Sequence, residues 1–396
     1  MIRSFQVQNY KALRDVKLNL TPIHVLIGPN DSGKTSILEA MEALCRSVDY
    51  PLHEAFTGLW NGTDLLWQRR EDLQASFSVH IETKDTEEFG YELSCRFANS
   101  GRVGVVSKEE FVSQERIELT RPGQSMSAAC RLGVGPEHVH KSQHLVLRTI
   151  RESISGVQSY RWIPRLLSLP VAPDSSLSFR MESSGFGLAR CLDEILGHQR
   201  ENFDALEHRF RELFPHISAI RLSPVPAFKA QPDDPRRIPT LGESDGKGIY
   251  FEMAGGGPRI PATQASDGML LVLAYLTLLH LPRDHAPRLL LIEEPENGIH
   301  PQRLQDVLGI LRELVEEQDH TQVVMTTHSP YVVDLFKPEE VTLCHKEEDG
   351  SVSVHTLSES ETVREQLDVF TLGEIWTAEG DEALSKSQQP GKEAAQ

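Results

Sequence analysis

Residues 28–35, near the N-terminus, have the composition and spacing of a phosphate-binding loop. They read G-P-N-D-S-G-K-T, which fits the pattern G-x-x-x-x-G-K-[ST]. Glycines in such a loop let the backbone curl around a phosphate, and the N–H groups that begin the next helix face its negative charge. Lys34 would reach the β- and γ-phosphates, and the Thr35 hydroxyl would contact Mg²⁺. A glycine-rich turn ahead of an ordinary helix is the alternative, but the flanking patterns favour a nucleoside triphosphate site.

Two glutamates follow a short apolar run late in the chain. Residues 289–292 are apolar, and Glu293 and Glu294 come directly after them. Open α/β sheets bind ligands at the carboxyl ends of their strands. In an ATPase the first acid would hold Mg²⁺, and the second would polarise the water that attacks the γ-phosphate. A buried strand followed by an acidic helix N-terminus, with no chemical role, would have the same sequence pattern. The phosphate loop upstream favours the chemical interpretation.

A histidine and a helix start extend this set of residues. His328 ends an apolar strand pattern in the segment M-T-T-H-S-P, and an imidazole beside a γ-phosphate can report whether that phosphate is present. Ser266, Asp267 and Gly268 open the apolar segment 269–281. Ser266 or Asp267 fits as a helix N-cap, and a helix start is also an anion site. If the ATP of a second subunit faced it, Ser266 and the amide of Gly268 could bind that γ-phosphate.

The elements that must position these residues indicate the fold class. Residues 23–27 predict a buried strand before the loop, and residues 36–44 predict a helix after it. The last third of the chain alternates helix and strand, which predicts a parallel sheet. Residues 2–20 and much of 50–150 have strand patterns separated by polar turns. The prediction is therefore an α/β P-loop NTPase with a mostly parallel sheet flanked by helices, plus an N-terminal antiparallel β region.

The remaining segments give weaker signals. Three histidines at positions 138, 140 and 144 lie among Gly, Pro and Ser and are more simply loop residues than metal ligands. The other segments, with their predictions, are a proline-rich hinge over 160–173, helices over 187–196 and 203–214, a five-proline surface loop over 223–242, a glycine-containing hairpin over 249–260 and a disordered tail over 385–396.

Composition and charge narrow the class of protein. The chain has 396 residues and a formal net charge of −18. Residues 1–240 carry 29 Lys+Arg against 30 Asp+Glu, whereas residues 241–396 carry 11 against 28, so contact with a polyanion would fall on the first two-thirds. Five scattered cysteines indicate reduced thiols in a cytoplasmic protein. The longest apolar run, 269–281, is too short to span a bilayer, and we expect no membrane association.

The order of the motifs resembles the ABC-type ATPase heads of the RecF, SMC and OLD families. More closely, the chain resembles the stand-alone, RecF-like predicted ATPases of the AAA_21 group. Beside the motifs above, the resemblance includes N-Y-K-A-L at 9–13, S-G-F-G-L-A at 184–189 and L-G-E-I-W at 372–376. It covers residues 1–375 and is specific for the ATPase fold, but not for a cellular task.

The resemblance implies a role for each motif. Residues 28–35 would be Walker A, Glu293 and Glu294 would close Walker B, 296–300 would be the D-loop, and Glu294 would be the catalytic base beside Lys34 and the switch histidine His328. Thr35 and Glu293 would hold Mg²⁺. The residues implied in ATP binding are Gly28, Pro29, Asn30, Asp31, Ser32, Gly33, Lys34, Thr35, Ser36 and the signature Ser266, Asp267 and Gly268. Two positions depart from the pattern, because Glu293 stands where many relatives have Asp and Asp267 stands where a Gly is usual.

The resemblance also implies one composite head over 1–384, followed by the tail 385–396. Within it, 1–49 would carry Walker A, 50–150 the antiparallel β insertion, 151–245 a hinge and helical subdomain, and 246–384 the signature, Walker B and switch histidine.

The main functional hypothesis is an ATP-hydrolysing switch that dimerises on ATP and acts in DNA repair or anti-phage defence, with double-stranded DNA as a possible partner. An alternative is an ATP-dependent regulator of a protein effector encoded nearby, without direct DNA binding. A nuclease of the OLD kind and a transporter subunit are less favoured.

Overall fold

The computed structural model describes residues 1–56, 62–83, 87–97, 104–113, 115–119, 123–134, 143–173, 178–229, 240–318 and 321–386. The chain divides into two compact units. The first consists of Met1–Gln158, Arg288–Glu293 and Gln322–Gln396, and the second consists of Ser159–Pro287 and Glu294–Thr321. The chain therefore passes from the first unit to the second between Glu293 and Glu294.

Strands throughout the chain form two six-stranded sheets and one of three strands. They are β1 (Ile2–Tyr10), β2 (Leu13–Asn19), β3 (Ile23–Ile27), β4 (Ala75–Glu82), β5 (Glu88–Phe97), β6 (Gly104–Val112), β7 (Arg116–Glu118), β8 (Val157–Tyr160), β9 (Ile217–Lys229), β10 (Thr240–Met253), β11 (Ile260–Pro261), β12 (Leu289–Glu293), β13 (Gln322–Thr326), β14 (Val341–Lys346) and β15 (Val352–Thr356).

The helices lie between these strands and at the C-terminal end of the described chain. They are α1 (Lys34–Arg46), α2 (Leu52–Ala55), α3 (Ala128–Val134), α4 (His144–Ile154), α5 (Pro164–Leu167), α6 (Leu188–His198), α7 (Arg200–Leu213), α8 (Asp267–Leu279), α9 (Pro301–Glu317), α10 (Pro330–Val333), α11 (Glu361–Gln366) and α12 (Leu372–Lys386). Within the described ranges, the helices all fall short of the length and apolar character that crossing a bilayer requires.

The first six-stranded sheet is mostly parallel, as predicted. Its order is β15-β14-β3-β13-β12-β8. Strands β14, β3, β13 and β12 pair in parallel, and β15 closes one edge as an antiparallel hairpin with β14. All five residues of β3 and of β13 are buried. Such continuous burial is typical of parallel strands that are covered on both faces.

The second six-stranded sheet confirms the N-terminal antiparallel region. Its order is β2-β1-β4-β5-β6-β7, and each neighbouring pair is antiparallel. Strand β4 alternates buried and half-buried residues along its whole length, which is typical of a sheet with one covered face. The segment 50–150 also contains α2, α3 and most of α4, which its strand patterns did not predict.

The second unit contains helices α5 to α9 and the sheet β11-β10-β9. The surface loop predicted over 223–242 is wrong where it is described, because residues 223–229 belong to β9 and 240–242 to β10; residues 230–239 lie outside the described residues. Proline lacks a donor for a sheet ladder and is confined to edge strands and bulges. Strand β9 is at the edge of its sheet, so it accommodates Pro224 and Pro226 opposite β10.

The C-terminal segment of the first unit ends in α12. Ser385 and Lys386 belong to that helix, although the predicted disordered tail began at 385. The rest of that predicted tail, 387–396, lies outside the described residues.

Candidate nucleotide-binding site

The phosphate loop follows β3 directly and needs its two glycines. Gly28 has φ +135°, and an added Cβ would collide with the carbonyl oxygen of Cys344 on the neighbouring strand β14. Gly33 has φ +90°, and its Cβ would lie 2.5 Å from Cγ2 of Val352. Both conformations favour glycine. Residues 28–35, here called the phosphate cradle, therefore have no room for a larger residue at either glycine position.

Lys34 is the first residue of α1 and turns back into the loop. Its Nζ donates to the carbonyl oxygens of Gly28 at 2.8 Å and Pro29 at 2.7 Å, and lies 3.3 Å from Oγ of Ser32. The side chain is buried, so its positive charge is held at the centre of the loop. In the described part of the chain, no side chain caps α1 at Gly33. The helix start can therefore turn its N–H groups toward a phosphate.

The β14–β15 hairpin supports the loop from one side. It supplies the Cys344 carbonyl and the Val352 side chain that crowd the two glycines. Lys346, the last residue of β14, forms an ion pair with Asp31, which has a left-handed φ of 66°. Burial raises the pKa of the Cys344 thiol to about 12, so the sulfur beside the loop stays protonated at neutral pH. No sequence motif predicts this support, because it depends on the sheet order.

The register of the parallel sheet places Glu293 and His328 at the same edge as the loop. Glu293 pairs with Thr326, and Thr326 pairs with Leu26 in β3. The N–H of Thr327 donates to the carbonyl oxygen of Leu26 at 3.1 Å, which fixes the residue before His328. Adjacent strands lie about 5 Å apart. The loop, Glu293 and His328 therefore end or follow neighbouring strands at one edge of the sheet.

Thr35 and Glu293 have the chemistry that Mg²⁺ requires. The Thr35 hydroxyl is exposed in the first turn of α1, and Glu293 is half-buried at the end of β12. Mg²⁺ prefers oxygen ligands and is usually bound through one or two protein groups plus substrate phosphates. The phosphate cradle and this oxygen donor pair therefore fit a Mg²⁺–nucleotide complex. Among the described residues, no three His, Cys, Asp or Glu side chains lie close enough together to hold a metal ion; His138 and His140 lie outside those residues.

Glu294 begins the segment that leaves the sheet and enters the second unit. Its φ is +49°, a left-handed conformation that is uncommon for a residue with a side chain. The Nδ2 of Asn297 donates to Oε2 of Glu294 at 2.6 Å, and the N–H of Asn297 donates to the carbonyl oxygen of Glu294 at 3.0 Å. The turn therefore fixes the orientation of the carboxylate. Sequence analysis did not single out Asn297, although it lies in the predicted D-loop.

The predicted signature and the predicted D-loop lie together in the second unit. Ser266 caps α8, and its Oγ accepts from the N–H of Met269 at 3.4 Å. The carbonyl oxygen of Gly298 lies 3.6 Å from the position of a Cβ on Gly268. Ser266 and Asp267 are exposed. This helix start can therefore present a hydroxyl and backbone N–H groups to an anion.

Comparisons with known proteins agree with this geometry. Residues 23–334 match the AAA_21 family, described as "AAA domain, putative AbiEii toxin, Type IV TA system". An "OLD nuclease" of Thermus scotoductus is 22% identical over 372 residues, which cover 91% of this chain and 65% of that protein. The chain thus spans about two-thirds of that relative's length.

A solved SMC head shares the fold. The SmcHead bound to the C-winged helix domain of ScpA is 14% identical, with a TM-score of 0.52 over 89% of this chain and 96% of that one. The SMC head domain from Thermotoga maritima is 12% identical, with a TM-score of 0.44 over 90% and 98%. Since the family pattern extends over most of the chain, the protein belongs to the AAA_21 family and has the fold of an ABC-type ATPase head.

Proposed function

We propose that the protein binds and hydrolyses Mg²⁺-ATP. The observation that supports the proposal is the strand order: the loop 28–35, Glu293 and His328 end or follow β3, β12 and β13, which are neighbours in the parallel sheet. Lys34 would stabilise the charge on the β- and γ-phosphates, and Thr35 and Glu293 would hold Mg²⁺. The metal would neutralise charge that develops on the phosphates as the γ-phosphoryl group is transferred.

Glu294 would act as the base that orients the attacking water. Phosphoryl transfer requires mainly positioning and charge stabilisation from the protein. The bond from Asn297 at 2.6 Å holds the Glu294 carboxylate in one direction. His328 would donate a hydrogen bond to the γ-phosphate and report its presence.

ATP would also bring two copies of the chain together. The signature residues Ser266 to Gly268 start α8 with an exposed cap, so they could meet the γ-phosphate of a second subunit. Hydrolysis would remove that phosphate and release the dimer, because a ligand shifts a conformational equilibrium only by its difference in affinity for the two states.

The ATP-dependent cycle has two candidate cellular roles. Likeness to a protein named as an OLD nuclease supports a role in DNA maintenance or anti-phage defence. The alternative is control of a protein partner encoded nearby, without DNA contact. It is favoured by the charge of residues 241–396, in which 28 acids outnumber 11 bases, since an acidic surface repels DNA and attracts basic proteins.

Glu294→Gln tests the catalytic assignment. The variant keeps the volume and the partner of Glu294 but removes the negative charge, so we expect ATP binding near the native level and turnover at least about a hundredfold lower. It should also accumulate as an ATP-dependent dimer in size-exclusion chromatography. Glu313→Gln, in the last turns of α9, is the matched control. Native turnover by Glu294→Gln would refute the assignment.

Turnover with and without double-stranded DNA separates the two outputs. Stimulation that decreases as salt rises would indicate phosphate contacts. Both measurements are made at a low and a high salt concentration. Turnover that DNA does not change at either concentration would favour a protein partner. Incubation of the same samples with supercoiled plasmid would test the activity named for the OLD relative.

A further inference from the structure

The exposed apolar side chains of the first unit concentrate at its C-terminal helices. Seven large apolar residues are exposed in the described part of the chain, and four of them lie here. Val369 is 75% exposed, Tyr331 69%, Phe370 52% and Leu367 41%. Single exposed apolar residues are ordinary, but a contiguous group indicates an interaction site. The remaining three, Tyr50, Leu145 and Ile163, lie elsewhere in the sequence.

Three of these residues are neighbours in one turn, and the backbone beside Tyr331 contacts the helix that follows the turn. Leu367, Val369 and Phe370 form the turn between α11 and α12, where the N–H groups of Val369 and Phe370 both donate to the carbonyl oxygen of Gln366 at 3.0 Å. Tyr331 follows Pro330, whose carbonyl oxygen packs against Gly373 in the first turn of α12. We name this set, Tyr331, Leu367, Val369 and Phe370, the α11–α12 surface.

Acidic side chains surround the α11–α12 surface. Residues 357–386 contain eight acids and two bases. Glu361, Glu365 and Asp368 are exposed, and none of the three forms an ion pair with another described residue. Apolar groups with acids beside them suit a partner that carries apolar and basic groups in the same arrangement. Nucleic acid would be repelled by these carboxylates.

A hydrogen bond joins the start of α12 to the end of α10, the helix that follows His328. Oδ1 of Asp334, just after α10, accepts from the N–H of Gly373 at 2.6 Å. Helix α10 begins at Pro330, two residues after His328. A contact that moves the start of α12 therefore acts on the helix that follows the histidine loop.

We propose that the α11–α12 surface docks a basic, amphipathic helix of a partner protein. The apolar face of that helix covers Val369 and Phe370, and its Lys or Arg side chains pair with Glu361, Glu365 and Asp368. Helices that place one apolar face on such a surface are a common recognition mode. Docking itself requires no nucleotide. Its coupling to ATP through α10 rests on the proposed function.

The test uses a fluorescein-labelled helix of about 18 residues, composed of lysine and leucine with the leucines on one face. Fluorescence anisotropy with the full chain, without nucleotide, should show saturable binding. A peptide of the same composition with its leucines dispersed should bind at least tenfold more weakly. Val369→Ser/Phe370→Ser should weaken binding of the amphipathic peptide at least tenfold, and Glu365→Lys/Asp368→Lys should weaken it similarly.

Leu145→Ser/Ile163→Ser removes two equally exposed apolar side chains elsewhere in the sequence and should leave binding unchanged. Binding equal in Val369→Ser/Phe370→Ser and wild type would overturn the proposal. It would also be overturned if the wild type formed dimers without nucleotide that this variant lost, because the surface would then join two copies of the chain.

ATP turnover, measured in the same variants, keeps the two proposals distinct. Val369→Ser/Phe370→Ser should hydrolyse ATP at the wild-type basal rate, so loss of peptide binding with intact turnover supports the docking surface alone. Absence of turnover in the wild type would refute the catalytic proposal and leave the peptide result unaffected.

Discussion

The two six-stranded sheets each contain a glutamate, and the two glutamates differ in their burial and in their position along the strand. In the parallel sheet every residue of β3 and β13 is buried, and the carboxylate of Glu293 lies at a strand end, where a ligand can reach it. In the antiparallel sheet Glu109 lies within β6 and is completely buried. Its two oxygens accept from the hydroxyl of Tyr91 at 2.9 Å and from the N–H of Ala128 at 2.6 Å.

The difference separates a chemical role from a structural one. Parallel strands that are covered on both faces bury the side chains along their length, so groups that a ligand must reach lie at the strand ends. Glu109 instead joins β6 to the start of α3, and burial raises its pKa to about 7. A buried, perturbed carboxyl often marks an active site, but here its partners are a neighbouring strand and a helix start.

Gly28→Ala should give the largest effect at the parallel-sheet edge. The new methyl group would collide with the Cys344 carbonyl at a φ of +135°, so the loop would have to open. We expect ATP affinity to fall at least about a hundredfold, measured with a fluorescent ATP analogue. Gly309→Ala is the control, because its Cβ would meet nothing within 4 Å in α9. Native affinity in Gly28→Ala would show that the cradle does not hold the phosphates.

Glu109→Ala should change stability rather than nucleotide affinity. It leaves the Tyr91 hydroxyl and the Ala128 N–H buried without their acceptor, which costs about 2–4 kcal/mol. Denaturant unfolding would measure this change. The structural role would be contradicted by an unchanged stability. It would also be contradicted by a loss of ATP affinity larger than the unfolded fraction of the variant explains.

Glu109→Gln tests the pH dependence. The folded pKa of about 7 exceeds the unfolded value of 4.5, so the native state binds more protons between these values. The stability that Glu109 contributes should be complete below pH 4.5, decrease as pH rises toward 7 and level off above it. Glutamine cannot titrate, so the variant should lose this slope. Denaturant midpoints from pH 5 to 8 would detect it, and an equal slope in both proteins would contradict the assignment.

The sequence was sufficient for the parts of the fold that have local signals. Short, mainly apolar segments predicted β3 and β13, and glycine spacing predicted the phosphate loop. Proline content led to a wrong prediction over 223–242, because the position of β9 at a sheet edge removes the usual penalty on proline. Edge position follows from sheet order, which no single segment encodes.

The candidate site was predicted wherever motifs carry the chemistry, and missed wherever distant segments support them. Cys344 and Val352 crowd the two loop glycines, yet they lie more than 300 residues away in sequence. The α11–α12 surface likewise has no motif of its own. Its apolar residues were indistinguishable from core residues until their exposure was known.

Asn297→Ala should give the smallest effect and tests how far the turn after β12 contributes to the chemistry. Loss of the 2.6 Å bond to Glu294 removes one contact that orients the carboxylate, which costs about 1 kcal/mol of transition-state stabilisation. We therefore expect kcat to fall about three- to tenfold, with KM and thermal stability unchanged. Gln305→Ala removes an exposed amide from α9 and is the control.

Asn297→Asp sharpens this test because it replaces a hydrogen-bond donor with a second carboxylate. Repulsion between the two carboxylates should turn Glu294 away, so kcat should fall below that of Asn297→Ala. A structural role for Asn297 would instead lower thermal stability in both variants and leave kcat per folded molecule unchanged. If both variants turned over ATP like the wild type, the bond would not position the base, and other contacts of Glu294 would have to hold it during hydrolysis.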